Sequence, residues 1–169
     1  MKAKLMVNDI EIEVDISKKE LKKLQKEDKK KKTGYERVGF GHTYSFVNNY
    51  GEVITLNHQD SDDNSRYEEA NYYSDYTMAE NNARADRLMR QLRRFAVEHR
   101  SIGLNWDKKD MTKWVIYYNR TTKELETVSS CNAQNFGTIY FDLALHAYDA
   151  IEAFHDELIW YFTEYKDSL

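Results

Sequence analysis

Thr77–His99 reads TMAENNARADRLMRQLRRFAVEH, and this stretch decides the fold. Met78, Ala85, Leu88, Met89, Leu92, Phe95 and Ala96 recur at helical spacing and form a stripe that a soluble helix must bury. Thr77-x-x-Glu80 reads as a capping box that opens this helix, hydroxyl and carboxylate each satisfying a helix-start amide. Arginines occupy most of the opposite face. The segments on either side supply what the stripe packs against. His42–Asn48 (HTYSFVN) and Glu52–Asn57 (EVITLN) flank Asn49-Tyr50-Gly51 and predict one hairpin; Lys113–Asn119 (KWVIYYN) and Glu124–Ser130 (ELETVSS) predict another around Arg120–Lys123. Thr138–Phe141 predicts a further strand. A last helix is predicted over about Asp142–Tyr165, with Leu143, Ala147, Ala150, Ile151, Phe154, Leu158, Tyr161 and Phe162 inward. His58–Ser74 reads as polar and irregular, and no fixed-period repeat is visible. Strands joined as hairpins and two long helices specify an α+β fold with an antiparallel sheet.

Toward the N-terminus, residues 2–7 and 10–16 alternate, Ile10, Ile12, Val14 and Ile16 against Glu11, Glu13 and Asp15. They predict a strand pair turning at Asn8-Asp9. Ser17-x-x-Glu20 then reads as a second capping box, opening a short helix with Leu21 and Leu24 inward. Residues 1–32 form a β-hairpin–helix appendage with a lysine-rich end, too small to be stable alone. Residues 33–169 form the main α+β domain.

The 169 residues suit one domain with such an appendage, and 41% hydrophobic against 32% charged residues exclude a disordered chain. The first sixteen residues lack the apolar core of a signal peptide, and no apolar run approaches the ~18 residues of a membrane span. The expectation is a cytosolic protein with no membrane partner. The single cysteine, Cys131, excludes an internal disulfide framework and a cysteine-based zinc site. Proline is absent, so the chain is no Pro-rich linker or ligand.

The net charge of −4 conceals blocks. Ser17–Lys32 holds nine lysines against Glu20, Glu27 and Asp28, so the rest of the chain is acidic. Within it, Arg84, Arg87, Arg90, Arg93 and Arg94 crowd one segment, where pairs such as Asp86 with Arg90 neutralise part of the stripe. The thirteen tyrosines divide in two. Tyr117, Tyr118 and Tyr140 are ordinary strand residues, whereas Tyr72, Tyr73 and Tyr76 cluster with Asp75 just before the arginine helix. Tyrosine and arginine together are the residue types of binding hot spots, so Tyr72, Tyr73, Asp75, Tyr76, Arg84, Arg87, Arg90 and Arg94 are the candidate partner-binding residues.

Catalytic and metal motifs are weaker. Asp60, Asp62 and Asn64 begin like a calcium loop, but Ser65 and Asn71 stand where glycine and glutamate are required. His146, Asp149, Glu152 and Asp156 share one side of the last helix and read as its solvated face. His42 and His58 can face each other across the first predicted hairpin of the main domain. No phosphate loop, dinucleotide fingerprint, zinc-protease or nucleophile-elbow motif is present. The residues therefore predict no catalytic residue, no metal and no cofactor.

Several separated blocks resemble a family of small proteins encoded in phages and prophages of Gram-positive bacteria. Thr33-Gly34-Tyr35-Glu36-Arg37-Val38 is similar to their opening, and Ala70–Asp75 followed by Ala79 and Asn82–Ala96 to their central signature. Asn135–Phe141 and Phe154–Phe162 resemble their closing segment. Family members often carry Gly-Asn-Tyr-Phe at Ala70–Tyr73, and the appendage is less typical of them. The resemblance implies an accessory protein of a mobile element, acting in a bacterial host cytosol. By analogy of context it implies an anti-defence protein: a stoichiometric inhibitor, foremost an anti-CRISPR against a type II effector nuclease or its guide-RNA complex. A nucleic-acid-binding accessory using Lys29, Lys30, Lys31, Lys32 and the arginine helix is the alternative. An enzyme acting on RNA or a signalling nucleotide, through His42 and His58, is a third. Oligomeric state is open, a homodimer included.

Overall fold

A computed structural model of the chain describes residues 2–7, 10–15, 17, 19, 32–108, 110–131 and 133–165. They fall into two compact units, Met1–Glu36 and Arg37–Leu169. In the first, β1 (Lys2–Val7) and β2 (Ile10–Asp15) pair antiparallel, with Lys2 opposite Asp15 and Val7 opposite Ile10. The expected turn at Asn8-Asp9, the helix residues Leu21 and Leu24, the Glu20 partner of the expected Ser17 capping box, and Lys29, Lys30 and Lys31 lie outside the described residues. Lys32 is exposed.

The second unit is built from two similar halves. In each, a hairpin is joined by one residue of a later segment, and a helix starts three residues after that residue. The first half contains β3 (Thr43–Val47) and β4 (Val53–Asn57), paired with Thr43 opposite Asn57 and Val47 opposite Val53. Asn48 builds their turn: its Oδ1 accepts from the amides of Tyr50 and Glu52, and Gly51 takes φ +80°, which favours glycine. Tyr73 and Ser45 then exchange two backbone hydrogen bonds of 2.8 Å. The Asn71 side chain acts like one more strand residue, donating to the Val47 carbonyl and accepting from its amide, both at 2.8 Å. The helix α2 (Tyr76–Glu98) follows.

In the second half, β5 (Lys113–Asn119) pairs with β6 (Glu124–Ser130), Lys113 opposite Ser130. Phe141 and Trp114 exchange the same two bonds, again at 2.8 Å, and α3 (Ala144–Ala153) follows. The preceding tyrosines match as well. Tyr72 and Tyr140 are both buried, and each hydroxyl accepts an amide of an earlier loop, Val38 at 3.3 Å and Asn135 at 2.6 Å. Tyr72-Tyr73 and Tyr140-Phe141 thus play one role twice, a repeat that periodicity in the sequence does not reveal.

The α+β architecture is as read from sequence, with four corrections. The strands form three separate two-stranded pairs, and Thr138–Phe141 contributes one bridging residue in place of a strand. Within His58–Ser74 lies a helix, α1 (Ser61–Glu68). Asp60 caps it by accepting the amides of Asp62 and Asp63, while Asp63 accepts from Asp60, so the segment that begins like a calcium loop is a capping box of Asp60 with Asp63. The cap of α2 is Asp75, whose Oδ1 accepts the Met78 amide at 2.9 Å, and Thr77 lies inside the helix. The last helix is interrupted at Phe154 (φ −124°, ψ 23°), continues as α4 (His155–Trp160) and closes in a π-helical turn, Tyr161–Tyr165. Phe154 leaves the helical track with its ring edge-on to Phe95, centroids 5.6 Å apart.

Leu88, Leu92 and Ala96 of α2 meet Phe141, Ala147, Ala150 and Leu158 in the main core. Ala79, Ala83 and Ala85 complete the buried stripe, while Met78, Met89 and Phe95 are only half-buried. A second, polar core lies in the first half. The rings of Tyr44 and Tyr72 stack with centroids 4.0 Å apart. Asp63, 2% exposed, accepts from the Tyr44 hydroxyl, from Arg66 at 3.1 Å and from the amides of Gln59 and Asp60. A buried carboxylate requires such partners. Burial alone would raise the Asp63 carboxyl, but the Tyr44 hydroxyl, these amides and His58 outweigh it and bring it down to about 2. Burial and the bond to Asp63 push the Tyr44 hydroxyl up to about 12.

Because folding lowers the Asp63 carboxyl from 3.8 to about 2, its contribution is complete above the unfolded value and is lost as pH falls toward the folded one. The melting temperature of Asp63→Asn is expected to be lower at neutral pH and less pH-dependent below about pH 4 than that of the wild type. Tyr44→Phe, which leaves a buried carboxylate short of a donor, is expected to cost about 1–3 kcal/mol in denaturant titration.

Candidate functional site

The outward face of α2 and the β3–β4 turn lie side by side. The register of the hairpin carries its turn over the middle of the helix. There Arg87 Nη2 donates to the Gly51 carbonyl at 3.4 Å, and Arg90 Nη2 lies 3.9 Å from where a Cβ on Gly51 would stand. Beside Gly51, Tyr50 projects into solvent at 88% exposure. Tyr76, on the first turn of α2, is half exposed. The Glu80 carboxylate beside it raises its hydroxyl pKa, through charge first and then a hydrogen bond.

Between turn and helix opens a cleft of about 510 Å³, with Gly51 to Val53 on one wall and Tyr76, Arg84 and Arg87 on the other. Glu157 closes its far side. Arg84 binds that glutamate through two of its three guanidinium nitrogens, Nε to Oε2 at 2.8 Å and Nη2 to Oε1 at 3.0 Å. The guanidinium also sits 3.9 Å from the centroid of the Trp160 ring. The bond to Glu157 raises the Arg84 pKa, and the same bond lowers that of Glu157. Glu52 and Glu80 also line the cleft, so its walls alternate in charge.

The eight expected partner-binding residues separate accordingly. Tyr76, Arg87, Arg90 and Arg94 face outward. Arg84 is committed to Glu157 and Trp160 and shapes the cleft wall. Asp75 is occupied as the cap of α2. Tyr72 and Tyr73, at 1% and 7% exposure, are core residues and not surface anchors. Docking of residues 71–73 onto β3 turns one ring onto Tyr44 and gives the other's backbone to Ser45. Sequence reasoning passed over Tyr50. The available signal was an aromatic beside glycine in a tight turn, a place where a ring has no core to enter.

Other candidates resolve similarly. Among the described residues, the i,i+4 ion pair on α2 is Arg94 with Glu98 at 3.8 Å, and not Asp86 with Arg90. His42 and His58 share a backbone bond of 2.9 Å, yet His42 is exposed while the His58 ring lies edge-on to Tyr44 and Tyr72. His146 leaves the expected solvated face to bind Asp142. No family model, curated protein or solved structure matches this chain.

Arg84 and Glu157 are each about two-fifths exposed, so solvent screens their pairing. A double-mutant cycle on Arg84→Ala and Glu157→Ala is expected to give a coupling of about 0.5–1 kcal/mol, falling with added salt. Arg84→Lys should lose both the fork and the ring contact, lowering stability more than a surface Arg→Lys elsewhere on α2.

Proposed function

We propose that this chain is a stoichiometric binding protein of a mobile element that inhibits a bacterial defence effector, foremost a type II CRISPR nuclease or its guide-RNA complex. The observation that carries the binding surface is the β3–β4 turn held on α2 by Arg87, with Tyr50, Tyr76 and Arg90 outward around one cleft. Tyrosine rings give contact area with little ordering cost and guanidinium groups add several directed donors, which is what a binding anchor needs. The defence target follows from the resemblance to phage and prophage proteins. The cleft's mixed charge supports a protein partner over a bare phosphate backbone, which would meet Glu52, Glu80 and Glu157 beside the arginines.

Titrating the chain into a purified type II effector–guide complex is expected to abolish DNA cleavage at a fixed molar ratio. Tyr50→Ala and Arg90→Glu should each weaken the effect about tenfold or more with unchanged melting temperature. Inhibition at substoichiometric amounts would contradict this reading and favour an enzyme. Binding to RNA alone that falls steeply with salt would favour the nucleic-acid alternative.

A further inference from the structure

The loop after α2 carries a second constellation, remote in function from the binding face. Asp142 directly follows the bridging Phe141 but does not cap α3, whose cap position, Leu143, makes no side-chain bond. Its Oδ2 instead accepts the amides of Ser101 and Ile102 at 2.7 and 2.6 Å. Its Oδ1 lies 2.7 Å from His146 Nδ1, and His146 Nε2 lies 3.5 Å from the Ser101 hydroxyl. The three groups are graded in exposure. The Asp142 side chain is 1% exposed, that of His146 12%, and Ser101 is open to solvent.

We propose that Ser101, His146 and Asp142 form a nucleophilic triad that accepts acyl groups from small carboxylic esters. A carboxylate on Nδ1 holds the imidazole in the tautomer whose Nε2 faces the serine with a lone pair, the arrangement that activates a hydroxyl. Asp142 keeps its charge: burial would raise its carboxyl, but the Ile102 amide, His146 and the Ser101 amide together lower it. Anchoring the loop needs only the carboxylate and two amides. The second oxygen, the histidine and the direction of Nε2 are surplus to that task. The approach is also open. Ile102 and Leu145, next to the serine and the histidine in the chain, are 49% and 63% exposed, and a side chain at Gly103 would touch nothing. They favour an apolar acyl group.

In the reaction, Ser101 Oγ attacks the ester carbonyl as its proton passes to His146 Nε2. The tetrahedral adduct expels the alcohol, which takes that proton, leaving an acyl-serine. Water then attacks, giving its proton to His146; the serine leaves as the acid forms and recovers its hydrogen. The amides of Ser101 and Ile102 are held by Asp142 and cannot stabilise the oxyanion. One missing donor costs about 10²–10³ in rate, so turnover is slow and covalent capture is the sensitive readout.

The full chain is therefore treated with a fluorophosphonate probe, with intact-mass and peptide-mass readout. A single adduct on Ser101 is expected. Ser101→Ala, which keeps the backbone amide for Asp142, should abolish it at unchanged melting temperature. His146→Gln should slow labelling about tenfold or more, as loss of a general base does. Asp142→Asn keeps an acceptor for the loop amides and should also slow it, serving as the second variant if His146→Gln fails to fold. Folded wild type without a Ser101 adduct, or labelling as fast with the base removed, overturns the proposal. Either result leaves the binding face untouched, because Tyr50 and Arg90 take no part here.

Discussion

Two backbone pairings, Ser45 with Tyr73 and Trp114 with Phe141, hold the second unit together. A two-stranded hairpin is marginal in water, and a helix gains most of its stability by burying a face. Each pairing joins one hairpin to the chain three residues before a helix, fixing where that helix begins and which stripe it turns inward. From this come both the meeting of α2 and α3 in the core and the siting of their first turns against the hairpins. Even the position of Asp142, and hence the loop it closes, is set by the bridging residue before it.

The two halves solve their interiors differently. Around α2 and α3 the core is aliphatic and aromatic, as the stripe Leu88, Leu92 and Ala96 requires. Beneath the first hairpin it is a stacked tyrosine pair with a carboxylate inside. Burial of Asp63 is tolerable because the Tyr44 hydroxyl, Arg66 and the amides of Gln59 and Asp60 converge on it, and Arg66 packs over Phe46 at 4.2 Å while also reaching the Tyr44 hydroxyl at 2.7 Å. Tyr44, Tyr72, Tyr73 and Tyr140 thus have a structural use, as buried rings with a polar end that needs a partner, whereas Tyr50 and Tyr76 stay exposed.

Much of this was legible in the sequence wherever a single element carried the signal. Alternation gave the hairpins, and period 3.6 gave α2 with its arginine face. Features created by pairing between distant segments were not legible. Tyr72 and Tyr73 read as an exposed loop because their burial depends on Asn71 imitating a strand residue beside Val47, which no local pattern announces. The helix α1 was hidden because its cap uses Asp63 where a glutamate is the usual sign. Phe154 interrupts the last helix to meet Phe95, a tertiary contact. The repeat of Tyr72-Tyr73 in Tyr140-Phe141 is a pair of adjacent aromatics, too short a pattern to stand out in the sequence. The candidate face was half legible: its arginines were found, but Tyr50 was not.

Native-state hydrogen exchange on the amides of Ser45, Tyr73, Trp114 and Phe141 tests this account most directly. If the two pairings govern the unit, all four exchange only through global opening, at the rate of the Leu88 and Leu92 amides in α2. Exchange of any of them orders of magnitude faster, at the rate of the exposed Tyr50 turn, would contradict it.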